Sequence, residues 1–160
     1  MKPKLYEYTS NTGRIGEIIK SISEFECSSY FDAHLDRNQK EQKLIVDNFQ
    51  ISMCLTLTHD VSELEWKQEY VPHSTMRDSI DIFGSNEDLN VVIELDKHRA
   101  DQVAKKFVSR SALLDKAIFY ISLCYPGTNN MSSGECKKYF SYCNNLSKRM
   151  GNEYAGFIVE

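Results

Sequence analysis

The run from Ala117 to Tyr125 restricts the fold more than any other segment, because it is nearly unbroken in apolar residues and is closed by Pro126-Gly127. A strand with no polar face has to be covered on both sides, which is the position of an interior strand in a sheet packed between helices. The rest of the chain must therefore supply those helices and the neighbouring strands.

Helical spacing is found in three places. Ile15, Ile18, Ile19 and Ile22 recur on one face between Thr12 and Glu26. Ala100, Val103, Ala104, Phe107 and Leu114 do the same between positions 100 and 114, with Gln102, Lys105, Lys106 and Ser109 as the opposite stripe. Ser132-Ser133-Gly134-Glu135 has the spacing of a capping box and opens a helix to Met150, with Gly151 placed as its C′ residue. The polar stretch Asp32 to Lys43 reads as partly helical and solvated.

Period-two alternation predicts the strands. Phe49, Ile51, Met53, Leu55 and Leu57 alternate with polar partners up to Thr58, and Leu64, Trp66 and Tyr70 follow until Pro72. Arg77 to Phe83, a turn at Gly84 to Asp88, and Val91 to Leu95 complete an antiparallel meander of four strands. Tyr154 to Val159 is a last short strand. The expected architecture is α/β, a mixed central sheet with an antiparallel meander flanked by helices, in a single domain over residues 1–160.

Composition narrows the function. The chain has 160 residues, 41% hydrophobic, and only 7 Gly and 3 Pro, so it has no disordered or collagenous character. At this length roughly 70% of the unfolded surface can leave water, enough for a core without staples. Nineteen Lys and Arg stand against 23 Asp and Glu, a net charge of −4, so bulk charge does not hold it on nucleic acid and any such site must be a local patch. Five cysteines form no C-x-x-C pair and read as reduced thiols of a cytoplasmic protein. No apolar h-region opens the chain and no run of 18 apolar residues occurs, so neither a secretory leader nor a spanning helix is expected.

The chemistry concentrates in Asp81-Ile82-Phe83-Gly84 and Val91-Val92-Ile93-Glu94-Leu95-Asp96-Lys97. With a turn centred between Asn86 and Glu87, Asp81 lies opposite Val92, and Glu94 and Asp96 follow on the same face. A slip of one residue would put Asp81 on the other face. Glu94 follows three β-branched residues, so its carboxylate is expected to be buried, which is costly beside like charges. A hard divalent cation, Mg²⁺ or Mn²⁺, removes that cost, and such an ion activates water and stabilises charge on a phosphodiester. The bland alternatives are a turn-side Asp81, a Glu94 paired with Lys97 or Arg99, and an Asp96 that only favours a helix entry.

An acid closing one strand of a hairpin, a second acid on an apolar strand and then a helix resembles the core of the PD-(D/E)XK nuclease superfamily, the restriction-endonuclease-like fold. Asp81 and Glu94 match its two acids and the helix from Ala100 to Leu114 matches the one after its motif. The likeness spans roughly positions 13 to 125. It implies an α-β-β-β-α-β core, hydrolysis of DNA with Mg²⁺ or Mn²⁺ on Asp81 and Glu94, and a glutamate of the leading helix, here Glu17, at the metal. The family's lysine lies two residues after the second acid, where this chain has Asp96. Three substitutes present themselves: Asp96 itself, a bulge that turns Lys97 inward, or a lysine from the following helix such as Lys105. Asp96 is the preferred one.

Lys97, Arg99, Gln102 and Lys105 are the candidate phosphate contacts, which would position DNA and not read its sequence. Lys137, Lys138, Lys148 and Arg149 form a second basic cluster, of which the last two suit a helix C-terminus by the dipole alone. His34, His59, His73 and His98 lack zinc spacing, although His98 is close to the acids. No phosphate loop, dinucleotide fingerprint or nucleophile elbow occurs, so no nucleotide cofactor is expected. The chain reads as a small metal-dependent nuclease, needing a homodimer or a partner subunit for selectivity. The alternative is a non-catalytic protein- or nucleic-acid-binding module on the same scaffold.

Overall fold

The computed structural model describes residues 1–32, 34, 36–73, 78–125 and 131–160. Six strands form one mixed open sheet: β1 (Pro3–Tyr8), β2 (Glu65–Tyr70), β3 (Ile80–Ser85), β4 (Leu89–Asp96), β5 (Ala117–Cys124) and β6 (Glu153–Val159), in the order β1-β6-β5-β4-β3-β2. The pairs β4/β5 and β5/β6 are parallel; β1/β6, β2/β3 and β3/β4 are antiparallel. Among the described residues five helices flank the sheet: α1 (Gly13–Glu24), α2 (Ser28–Phe31), α3 (Gln39–Asp60), α4 (Asp101–Ser111) and α5 (Ser133–Met150).

Strict alternation along the central strands divides the core in two. Val91, Ile93 and Leu95 of β4, with Phe119, Ile121 and Leu123 of β5, pack against Ile18 and Ile22 of α1 and Phe49, Met53 and Leu57 of α3. Val92 of β4 and Ile118, Tyr120 and Cys124 of β5 pack against Val103 and Phe107 of α4 and Phe140 and Cys143 of α5. The run at Ala117 to Cys124 is thus an interior strand, as its composition requires. Pro126 and Gly127 lie outside the described residues, as does Arg77.

Several expectations need correction. Phe49 to Thr58 is helix, the second half of α3, because Phe49, Met53 and Leu57 stand four residues apart and share its buried face. The helix is opened by a capping box between Asn38 and Glu41, with Glu41 N–H donating to Asn38 Oδ1 at 3.1 Å and Asn38 N–H to Glu41 Oε2 at 3.1 Å. The meander therefore has three strands, β2 to β4. β1 was not anticipated; its partner β6 lies at the far end of the sequence. Ser132 caps α5 by accepting from Glu135 N–H, and Gly151 ends it at φ +70°. Among the described residues no helix is long and apolar enough to cross a membrane.

Candidate functional site

The hairpin β3–β4 sets the position of the acids. Asn86 Oδ1 accepts from the backbone N–H groups of Asp88 and Leu89 at 3.0 and 2.9 Å, which centres the turn one residue later than expected. Phe83, and not Asp81, is opposite Val92, and the ladder ends at Ile82↔Ile93, one step short of Asp81 and Glu94. A displacement of two residues in pairing preserves the face, so the acids still gather. Asp81 Oδ2 also accepts from Leu95 N–H at 2.7 Å.

All three carboxylates meet one ammonium. Lys106 Nζ, from the middle of α4, lies 2.9 Å from Glu94 Oε2, 3.3 Å from Asp96 Oδ1 and 3.4 Å from Asp81 Oδ2, and donates to Leu95 O at 2.9 Å. Arg110, one turn further on, donates from Nε to Glu94 Oε1 at 2.8 Å and reaches the exposed Asp78 at 3.4 Å. Glu94 is 1% exposed and Asp96 5%. Burial, then the charge of Asp81, pushes the Glu94 pKa up to about 8 against the pull of Lys106 and Arg110. Burial likewise raises Asp96. For Lys106 burial acts downward, but the attraction of Glu94, Asp81 and Asp96 outweighs it and keeps the amine charged.

Three carboxylates crowd Lys106, and Asp96 Oδ2 is buried with no hydrogen-bond partner. This oxygen-only set, with its orphaned buried oxygen, fits a hard divalent ion, which needs only one or two carboxylates. Among the described residues, however, no three His, Cys, Asp or Glu side chains stand together as a ready metal shell. The ammonium of Lys106 is where these acids converge.

The helix lysine that reaches the acids is Lys106, where Lys105 was the helix candidate named from sequence. Lys105 is exposed and has no part in the cluster. Lys97 stays on the α3 side of β4, donating to Gln42 Oε1 at 3.0 Å, so no bulge turns it inward. Glu17 is exposed on α1 and lines a surface hollow with Lys20, Ser21, Glu24, His59 and Asp60, apart from the acids. The helix residue that reaches Asp81 is Gln50 of α3, buried, with Nε2 donating to Glu69 Oε1 at 3.1 Å and Asp81 Oδ1 at 3.5 Å. Glu69 adopts φ +48°, an uncommon conformation for a non-glycine residue.

A cleft of about 270 Å³ opens at the carboxyl end of β4, lined by Asp96, Lys97, His98, Arg99, Gln102 and Lys106 among others. Three of the four expected phosphate contacts, Lys97, Arg99 and Gln102, therefore share one opening with Asp96 and Lys106. Arg99 pairs with Asp101 at 2.6 Å. No family model, no curated protein and no solved structure matches this chain. The site speaks through its own atoms alone.

Proposed function

We propose that this chain is a metal-dependent nuclease, hydrolysing DNA phosphodiester bonds at the Asp81–Glu94–Asp96–Lys106 cluster. The observation that carries the reading is the convergence of three strand carboxylates on the helix-borne Lys106, which with Asp96 lines a cleft shared by Lys97 and Arg99. Hydrophobic burial alone would not retain two carboxylates with so little exposure, and such perturbed groups in a cleft are functional-site candidates. The order α3, β2, β3, β4, α4, β5 runs parallel to the α-β-β-β-α-β order of the restriction-endonuclease-like fold. In this reading α3, not α1, is the leading helix.

Asp81 and Glu94 would hold Mg²⁺ or Mn²⁺, which when bound supplies a polarised water and a counter-charge for the phosphate. Asp96 keeps Lys106 oriented, and Lys106 presents an ammonium to a phosphate oxygen at the cleft floor. Gln50 fixes the rotamer of Asp81 through its second oxygen, and Arg110 does the same for Glu94. Lys97, Arg99 and Gln102 contact the backbone on either side. The test is nicking of supercoiled plasmid in Mn²⁺ or Mg²⁺, abolished by EDTA and by Glu94→Gln in a protein that remains folded. Equal nicking by Glu94→Gln removes this site from consideration.

A second reading has its own support. Lys106 already pairs with all three acids without a metal, which suits a binding module in which the cluster is a structural ion network. Under that reading the wild type binds no Mn²⁺ in calorimetry and cuts no nucleic acid, while Lys106→Met costs stability alone.

A further inference from the structure

We propose that the outer face of α5 is a second nucleic-acid surface, which takes a single-stranded stretch of DNA beside the cleft. It rests on the nuclease reading and deepens it, by naming the substrate as DNA with an unpaired strand. The chain carries a net charge of −4, but α5 sets Lys137, Lys138, Lys148 and Arg149 against the one acid Glu135, a net charge of +3. Such a helix is the local patch that an acidic chain needs in order to hold a polyanion.

The cations share one side of the helix. Lys138, Tyr142, Asn145 and Arg149 follow one another at i, i+4, i+7 and i+11, and all four are exposed, as are Lys137 and Lys148 beside them. Lys138 is paired with Glu135 at 2.6 Å, whereas among the described residues Lys137, Lys148 and Arg149 form no ion pair. Lys137 Nζ stands 3.9 Å over the ring of Tyr6, and Glu160 close by is held by Lys4 at 2.9 Å. The helix dipole favours Lys148 and Arg149 in the last turn but gives nothing to Lys137 and Lys138 in the second.

Between the two basic ends Tyr142 is 53% exposed. Its ring meets Tyr139 edge-on, with centroids 5.9 Å apart, and Lys138 Nζ lies 5.0 Å from the Tyr139 ring. Cations for phosphates and a steadied ring for a base are the parts that hold a single strand. In a duplex the bases stack on each other and offer Tyr142 no face. A membrane is no better match, because α5 turns its apolar side, with Cys136, Phe140 and Cys143, into the core. Lys138 and Arg149 are about 16 Å apart along the axis, the length of about five stacked nucleotides. Tyr139 is within electrostatic range of Arg99 in the cleft, so a strand leaving the cleft past Arg99 meets α5 next.

Fluorescence anisotropy of the full chain with a labelled single strand of about 20 nucleotides tests the surface. It is run in EDTA, so that binding is read whether or not the protein nicks plasmid, and the two readings fail separately. The expected Kd is about tenfold or more lower for the strand than for a blunt duplex of equal length, and rises with salt. Tyr142→Ala should raise the strand Kd about tenfold, while Tyr142→Phe leaves it unchanged. Lys148→Gln with Arg149→Gln should raise it about tenfold or more and lower the salt slope by about 1.4. Lys67→Gln, on the opposite edge of the sheet, should have no effect, and every variant should keep the circular dichroism of the wild type. No binding at tens of micromolar protein in low salt overturns the proposal. So does equal affinity for the duplex, a Kd that survives Tyr142→Ala or the double substitution, or displacement of the strand by an acidic peptide at equal charge.

Discussion

Replacing Lys106 with Met keeps the aliphatic stem and removes the charge on which Asp81, Glu94 and Asp96 converge. Glu94 retains Arg110, but Asp96, 5% exposed, loses its one ion-pair partner. Breaking a buried pair from one side costs about 3–5 kcal/mol, against a total stability of about 5–15 kcal/mol for a domain. The loss should depend on pH, because Glu94 and Asp96 already have raised pKa values and can take up protons in place of the ammonium. The loss is expected to be larger near pH 8 than near pH 5.5, where a protonated Glu94 no longer needs the ammonium. Urea denaturation of wild type and variant at both pH values measures this, and adding Mn²⁺ should stabilise the variant more than the wild type. An identical loss at the two pH values would show that the acids are not buried and crowded as described.

The unsubstituted protein has a pH dependence of its own. The folded-state pKa of Glu94 lies above its unfolded value, so its contribution is complete below about pH 4.5 and is lost as pH rises through about 8, an order of 5 kcal/mol for this group. Metal-free melting temperatures should fall across that window, and Glu94→Gln should flatten the profile. Gln50→Ala removes a buried donor to Glu69 and Asp81, with an expected cost of about 1 kcal/mol in denaturation. If Asp81 is catalytic, the same variant lowers kcat at unchanged KM. Gly156→Ala places a methyl 2.5 Å from the ring of Phe140 and should destabilise by about 1–3 kcal/mol in the same assay.

Local patterns in the sequence were read correctly where one face decides. The interior strand, the α4 and α5 periodicities, the Ser132 cap and Gly151 all follow from short-range rules. α3 defeats such a reading because both its sides carry apolar residues: Phe49, Met53 and Leu57 turn inward while Ile51 and Leu55 turn outward, which mimics a period of two. The box at Asn38 and Glu41 was the available local clue. In the site, the acids were legible from strand parity alone, and the later turn centre did not matter. Lys106 was not legible because Lys105 and Lys106 are neighbours whose directions differ by a quarter turn or more of helix. Its place between Val103 and Arg110 on the buried stripe distinguishes it. Gln50 was hidden by the strand assignment of its own segment.

The acids hang from a sheet and their counter-ion from a helix. The parallel ladder with β5 keeps Glu94 and Asp96 fixed, whereas α4 is held mainly by side-chain packing. A slide of α4 by an ångström would alter every distance from Lys106 while breaking no rung of the ladder. Pressure on the outer surface of α4 and α5 would thus be transmitted inward as a change in electrical balance, with the scaffold itself left at rest.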